Sequence, residues 1–458
     1  MKGEIMLKSF FAAVCIMVAL SVLFIVGCTG DDTVTFSVVW SKTYGGTGDD
    51  SGRYMQQTSD SGFIVVGYTD SFGSGEGDAL VMKLDFEGAV TWQKTYGGVR
   101  FDGASAIAQT TDGGYIMSGQ SNTFYEEWNY DAWIVKLTSS GSISWQKTYG
   151  ADGWEEFTSV SETSGGGYIA AGHSDPGGQS TDLWVVKLDV DGTVVWDMVY
   201  GGNEGEITYA GIEQTTDGGY ILAGRSDSFS AGDLDAWVLK LNANGSVAWQ
   251  KLLGGEDREQ VISIQQTSDG GYIVGARTMT YGQGDKDVWV LKLASDGSVE
   301  WQKTYGGELE EELRFLRQTS DGGYIVVTKT ESFGKGDTDL WVMKLRPDGS
   351  VAGQKTFGGT LGESAEAFVL CSDGSIVICG ETESFGEGAS DVWLLKLKIG
   401  GQNDCGLGGD LNVTPQNTSV TSVDSAISAS NYSWYTTVGD TAVDPADVSV
   451  VVSNQCGE

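Results

Sequence analysis

"SDGGYIVGARTMTYGQGDKDVWVLKLASDGSVEWQKTYGG", residues 268–307, decides the fold. Asp269-Gly270 is a strong short-range hairpin signal, because the pair tolerates the backbone conformation that a tight turn requires. Two apolar runs follow, residues 272–276 and 288–293, and then a segment closing on Trp301-Gln302-Lys303-Thr304-Tyr305-Gly306-Gly307. The runs are short, rich in β-branched and aromatic residues, and bounded by Gly, Ser and Asp, which is strand punctuation. The first run is apolar on both faces of its pleat. It needs cover on both sides.

The stretch recurs along the chain. Trp40, Trp92, Trp145, Trp196, Trp249 and Trp301 are spaced by 52, 53, 51, 53 and 52 residues, and Gly353 takes the next place, 52 further on. The Lys of the "DVWVLKL" string recurs seven times, at 83, 136, 187, 240, 292, 344 and 396. A fixed period of this length marks a repeat architecture. Each unit reads as four short strands, and seven such sheets packed face to face around an axis cover both faces of each. The expectation is an all-β, seven-bladed β-propeller over residues 37–397. The chain enters on a fourth strand without partners and ends the array on a third strand without a fourth. Residues 37–44 are therefore predicted to complete blade 7 beside residues 391–397, leaving no open edge.

The pattern "DGGYI…DxWVxKL…GxxxWQKTYGG" resembles the propeller repeats of exported bacterial and archaeal surface proteins, over about residues 37–397. Its "LxxxGxVxW" portion is similar to the tryptophan motif of quinoprotein-type propellers, whereas the WD and kelch signatures are not matched in full. The resemblance implies a fold and an exported scaffold, and no reaction.

Composition bounds the role. With 63 acidic against 27 basic residues and a net charge of −36, the chain would meet a phosphate backbone with repulsion, which excludes nucleic acid. The same surplus excludes lying on an anionic membrane through the folded surface. The N-terminus, "MKGEIMLKSFFAAVCIMVALSVLFIVGC", has a basic start and an apolar run, as export signals do. Its end, Ile25-Val26-Gly27-Cys28, resembles a prokaryotic lipobox, implying a signal over 1–27, lipid on Cys28 and a tether over 28–36. An uncleaved membrane helix is the alternative. Either reading places the protein in the cell envelope, outside the cytoplasm, with the membrane touched only through this anchor.

Residues 398–458 lack the repeat and read as a Gly-rich linker and a small β appendage rich in Ser and Thr. Cys405 and Cys456 bracket it and are expected to form a disulfide in an oxidising compartment. Cys371 and Cys379 flank the turn Ser372-Asp373-Gly374-Ser375. A two-residue turn would set Cys371 opposite Ile376 and Cys379 opposite Phe368, with sulfurs on opposite faces and both thiols buried and free.

Catalytic constellations are missing from the sequence. The chain has one histidine, His173, read as a loop residue in "AGHSDPGG", and no nucleophile elbow, P-loop, HExxH or CxxC. A binding or scaffolding module that recognises a glycan or a surface protein is therefore the leading expectation. A polysaccharide-acting or quinone-dependent enzyme, or a structural cell-surface component, are the alternatives.

Three sets of residues are candidates for a site. Four residues beyond each Gly-Gly pair stands an acid: Asp50, Asp102, Glu155, Glu206, Glu259, Glu311 and Glu363. At the head of each innermost strand these would form a ring, either drawing cations into the channel or accepting backbone hydrogen bonds. Loops reading GDxD supply Asp233 and Asp235, Asp285 and Asp287, Asp337 and Asp339. The second Asp has counterparts at Asp78, Asp131, Asp182 and Asp391 and is expected to fix the loop; the first is the better metal ligand. No motif requires a cofactor, and calcium is the cation that such oxygen donors suit. Lastly, "NTFYEEWNYDAW", residues 122–133, puts Phe124, Tyr125, Glu126, Glu127, Trp128 and Tyr130 where other blades carry Gly and Ser. Trp154 is expected on the same face. Flat rings beside carboxylates suit a sugar or a protein anchor, and a local minicore is the alternative.

Overall fold

The computed structural model describes residues 34–73, 75–123, 130–150, 153–176, 180–230, 233–386 and 388–400, and then 408–410, 416–417, 446–447 and 451–454. Seven antiparallel sheets form a ring of blades, each running from an inner to an outer strand in chain order. Blade 1 comprises Asp50–Gln57, Phe63–Thr69, Asp78–Leu84 and Val90–Tyr96; blade 5 comprises Glu259–Gln266, Tyr272–Thr278, Asp287–Leu293 and Val299–Tyr305. In blade 7 the inner three strands are Glu363–Leu370, Ile376–Thr382 and Asp391–Ile399, and the fourth is the N-terminal strand Phe36–Gly45. Closure by the N-terminus is as the sequence predicts. The described C-terminal strands add to outer edges: Gly408–Asp410 to blade 6, Gln416–Asn417 to blade 5, Ala446–Asp447 to blade 1 and Val451–Asn454 to blade 7. Cys405 and Cys456, and residues 1–33 with Cys28, lie outside the described residues. No described helix is long and apolar enough to cross a membrane.

The repeated side chains are blade-to-blade fasteners. Third-strand tryptophans Trp133, Trp184, Trp237, Trp289, Trp341 and Trp393 are fully buried between sheets. The fourth-strand tryptophans reach the next blade, as where Trp92 meets Tyr115 at 6.1 Å and Trp249 meets Tyr272 at 5.6 Å between ring centroids. The Tyr of "WQKTY" donates to a turn carbonyl of the next blade, Tyr96 to Gly141 at 2.6 Å and Tyr305 to Gly349 at 2.6 Å. The buried Lys of the third strand holds the Asp of its own first hairpin turn, as in Lys136–Asp112 and Lys240–Asp217, both 2.9 Å.

That turn differs from the predicted two-residue form. Thr110 N bonds Gly114 O at 3.0 Å and Gly113 N bonds Thr110 O at 2.9 Å, so the loop has three residues with Gly113 at φ +81°. Asp112 caps the turn by accepting from Thr110 Oγ1 at 2.5 Å, so the Asp is held inside the loop. The extra residue shifts the register by one. In blade 7, Cys379 stands opposite Ala367 and Cys371 opposite Ser375, and both thiols lie on one face in one apolar cluster. They are buried and free, as expected, but the reason is separation along the strand. Cys379 lies four residues along the strand from Ser375, the partner of Cys371, which at about 3.4 Å each is roughly 14 Å, beyond the reach of a disulfide.

Gly353 marks the one outer strand of the repeat without its tryptophan. A Cβ there would meet Val34 O at 1.8 Å, and Val34 N donates to Ala352 O at 2.9 Å. The entering chain occupies the tryptophan's place, and Phe36 and Val38 pack into the core with Val342, Phe357 and Trp393. Thr35 O then accepts from Gly400 N at 2.7 Å, so the same segment clasps blades 6 and 7 together.

Candidate functional site

The seven repeated acids do not face the channel. All are buried, and six of them, Asp50, Asp102, Glu206, Glu259, Glu311 and Glu363, close the described loop above them. Glu259 accepts from Gly255 N and from Thr278 Oγ1, both at 2.8 Å; Glu363 accepts from Gly359 N at 2.7 Å and Thr382 Oγ1 at 3.0 Å. Asp102 takes Gly98 N at 2.7 Å together with Ser121 Oγ. None of the seven lines the central cavity. The requirement they meet recurs from blade to blade: loop amides leading into the innermost strand need an acceptor away from water.

The GDxD pairs divide as the sequence suggests. Asp287 accepts from Gln283 N and Gly284 N, both at 3.0 Å, and Asp339 from Lys335 N and Gly336 N at 2.7 and 3.0 Å, so the second Asp fixes the loop. Asp235 is buried in the same position. Of the first aspartates, Asp233 is taken by Arg258 at 2.6 Å, and Asp285 and Asp337 sit in loops of the same kind. Among the described residues, no three His, Cys, Asp or Glu side chains converge as a metal cluster.

Phe124, Tyr125, Glu126, Glu127 and Trp128 lie outside the described residues. The two flanking aromatics are brought together. Tyr130 and Trp154 form a parallel bridge, and Glu155 N donates to Tyr130 O at 2.8 Å. Trp154 is 41% exposed, donates Nε1–H to Gln120 Oε1 at 2.7 Å, and rests edge-on against His173 at 4.4 Å. His173 belongs to the strand Tyr168–Pro176 rather than to a loop. It is buried, with no hydrogen-bond partner on either ring nitrogen among the described residues, and burial pushes its pKa down. Neutral His173 is thus the floor under Trp154. Phe101 continues the group, 6.1 Å from Tyr130 and 5.5 Å from Tyr68. Blades 1 to 3 therefore carry an aromatic rim: Tyr68, Phe101, Tyr130 and Trp154.

The rim opens on a central cavity of about 1000 Å³. Tyr68, Phe101, Gln120 and Glu156 line its blade 1–3 side. Deeper, the innermost strand of every blade but the fourth carries one bulge residue, as between Gly52 and Tyr54 in blade 1, Leu313 and Phe315 in blade 6, and Ala365 and Ala367 in blade 7. A bulge leaves its extra residue unpaired and re-aims the side chain. The residues so presented are Arg53, Ser105, Thr158, Ile262, Arg314 and Glu366, all on the cavity wall. In blade 4 the strand is one residue longer and breaks between Ile207 and Ile212, which turns Tyr209 out at 49% exposure.

This level is where the repeat stops repeating. Sequence reasoning passed over it, although the signal was legible: three residues beyond the repeated acid, one column of the repeat holds Arg, Ser, Thr, Tyr, Ile and Glu, mixing both signs of charge with polar and apolar side chains. Arg314 contacts Glu312 at 3.3 Å and Glu366 at 3.6 Å, and Arg277 contacts Glu312 at 3.1 Å. Burial works to raise the Glu312 carboxyl, but Arg314, Arg277 and Lys286 outweigh it and hold it below the usual range. For Glu366 burial wins and its pKa is raised, against Arg314 and Arg53.

No protein-family model and no curated protein matches the chain. Among solved structures it is similar to Sqt1 from Chaetomium thermophilum, 12% identical over 76% of this chain and 82% of that one, with TM-score 0.41. It is also similar to a Trichoderma reesei carbohydrate-active enzyme of family AA12, 10% identical over 80% and 96%, TM-score 0.32. A third is the hemagglutinin-neuraminidase ectodomain of parainfluenza virus 5, 10% identical over 80% and 87%, TM-score 0.35. At these identities no activity carries over.

Proposed function

We propose that this chain is a binding propeller of the cell envelope, held to a membrane by its N-terminal segment, whose ligand is a glycan entering the central cavity past the aromatic rim. The observation that carries the reading is convergence. Repeated residues account for blade packing and loop closure, while the aromatic and charged departures from the repeat gather on one cavity and its mouth. An exposed indole fixed by Gln120 and His173 offers a rigid face for the C–H side of a sugar ring. Gln120, Glu156 and the hydroxyls of Ser105 and Thr158 supply polar partners beside it. The export-type N-terminus of the sequence supports the location.

Binding of the purified full-length protein to a glycan array tests the reading. Trp154→Ala is expected to weaken the glycans that bind by roughly tenfold or more, the scale of a buried aromatic anchor, with the fold retained by circular dichroism. A protein that binds no glycan, or binds equally well without Trp154, overturns it. Cys28→Ala, followed by fractionation, tests the tether: release from the membrane is expected.

A further inference from the structure

The cavity gathers three arginines beside four glutamates, Glu156, Glu162, Glu213 and Glu366, in a strongly acidic protein. Although the chain has 27 basic residues against 63 acidic, Arg53, Arg314 and Arg317 line this one space. Two of them are engaged. Arg314 spans Glu312 and Glu366, and Arg317 donates to Ser263 Oγ at 3.0 Å and Leu316 O at 2.9 Å. The carboxylates have donors of their own as well: Glu156 takes Ser105 Oγ at 2.6 Å, and Glu162 takes the Thr111 amide at 2.7 Å.

Arg53 is different. It is exposed on the cavity wall and has no hydrogen bond or ion pair among the described residues. The acid that feels its charge is Glu366, which Arg314 already contacts. Arg53 sits at the bulge two residues below Ser51, which pairs with Tyr68 of the rim, and Tyr54 follows it on the wall. A guanidinium presents a planar fork of donors that matches a carboxylate with two parallel bonds, and such charge-assisted pairs are the strong ones. An uncommitted fork on the wall beneath an aromatic rim is arranged for a ligand carrying both a ring and an acid.

We propose that the glycan is an acidic saccharide, whose carboxylate is held by Arg53 while Tyr68 and Phe101 flank its ring. This rests on reading the cavity as a glycan site. Calorimetry on the full-length protein tests it, with uronate and sialate oligosaccharides, neutral oligosaccharides of equal length, the methyl ester of the best acidic binder, and a glutamate peptide. The acidic saccharide is expected to bind at least roughly tenfold more tightly than its methyl ester. Arg53→Ala should remove that difference without lowering the melting temperature, since the side chain has no partner to lose, and Arg53→Lys should restore part of it. Equal binding of acid and ester, both weakened by Trp154→Ala, would overturn the acid and leave the glycan site standing. Binding of the glutamate peptide alone through Arg53, or of no saccharide at all, would overturn both.

Discussion

Gln57 Oε1 accepts the backbone amide of Ser372 at 3.1 Å, across 315 positions of sequence. The same bond joins consecutive blades elsewhere, Gln109 to Ser59 at 2.7 Å, Gln266 to Thr216 at 2.9 Å and Gln318 to Ser268 at 2.8 Å. Blades 1 and 7 therefore meet as neighbours of any other pair do. Blade 7 itself presents Leu370 to blade 6 at this position, and the entering N-terminal segment ties the same two blades further out, through Val34 N to Ala352 O and Gly400 N to Thr35 O.

Removing residues 34–45 should be severe. Blade 7 would keep three strands, Trp393 would lose both its cover and the Ser41 hydroxyl 2.8 Å from its Nε1, and a sheet edge would open. Size-exclusion chromatography is expected to show aggregates and thermal melting a large drop. A monomer that melts like the full chain would refute closure by the N-terminus.

Gly353→Ala should destabilise the intact chain, because its Cβ would collide with the Val34 backbone. The cost is expected at about 1–3 kcal/mol, the range for overpacking. In a chain that begins at residue 36 the same substitution should cost much less. Equal losses in both backgrounds, measured by urea melts, would show that Val34 does not fill the tryptophan's place.

Ser61 is the one described non-glycine residue with positive φ, +70°, at a turn position that is Gly113, Gly218, Gly270, Gly322 and Gly374 in other blades. A side chain in the left-handed region costs roughly 1–2 kcal/mol, partly offset by the greater chain entropy that glycine loses on folding. Ser61→Gly is expected to raise stability by about 0.5–1 kcal/mol in a urea melt. A loss would mean that the Ser61 side chain is itself an anchor.

Stability should fall on both sides of a mildly acidic optimum. Burial works to raise Asp112, Asp269 and Asp321, but bonds from the neighbouring Thr and Lys outweigh it and hold them at about 2. Folded values below the unfolded one mean a contribution present above about pH 4 and lost as pH falls towards 2. These aspartates are more than half exposed, so the limb is shallow. Asp287 goes the other way: burial pushes it up to about 6 despite the Gly284 and Gln283 amides. Its contribution is present below its unfolded value and lost as pH rises through about 6. Asp287→Asn should flatten the limb between pH 4 and 7 in melts across pH, and an unchanged profile would exclude Asp287 as its source.

Glu311→Ala should destabilise by about 1–3 kcal/mol, the cost of leaving buried donors unmet. The orphaned groups are Gly307 N, now 2.6 Å from the carboxylate, and Thr330 Oγ1 at 2.9 Å. If instead the ring served to gather cations, the variant would change the response of the melting temperature to calcium and leave its value in chelator untouched.

What the sequence by itself determined is the repeated part. A period near 52 residues, Asp-Gly turns and twice-apolar strands fix seven four-stranded blades, and the unmatched strands at either end fix how the ring closes. These are local or pairwise requirements, written once per blade, so a single chain shows them seven times. Where each acid's carboxylate points was not written there. Glu259 at the head of a strand reads equally as a channel ligand or a loop cap until Gly255 and Thr278 are seen to take its oxygens. The hairpin register turned on one residue of loop, enough to bring Cys371 and Cys379 to one face. Arg53, Arg314, Glu366 and Tyr209 lie in four blades far apart in sequence, and only the closed ring makes them one wall. A propeller's binding surface is assembled across its axis, from strands that never pair with one another, so tertiary structure alone decided which departures from the repeat meet.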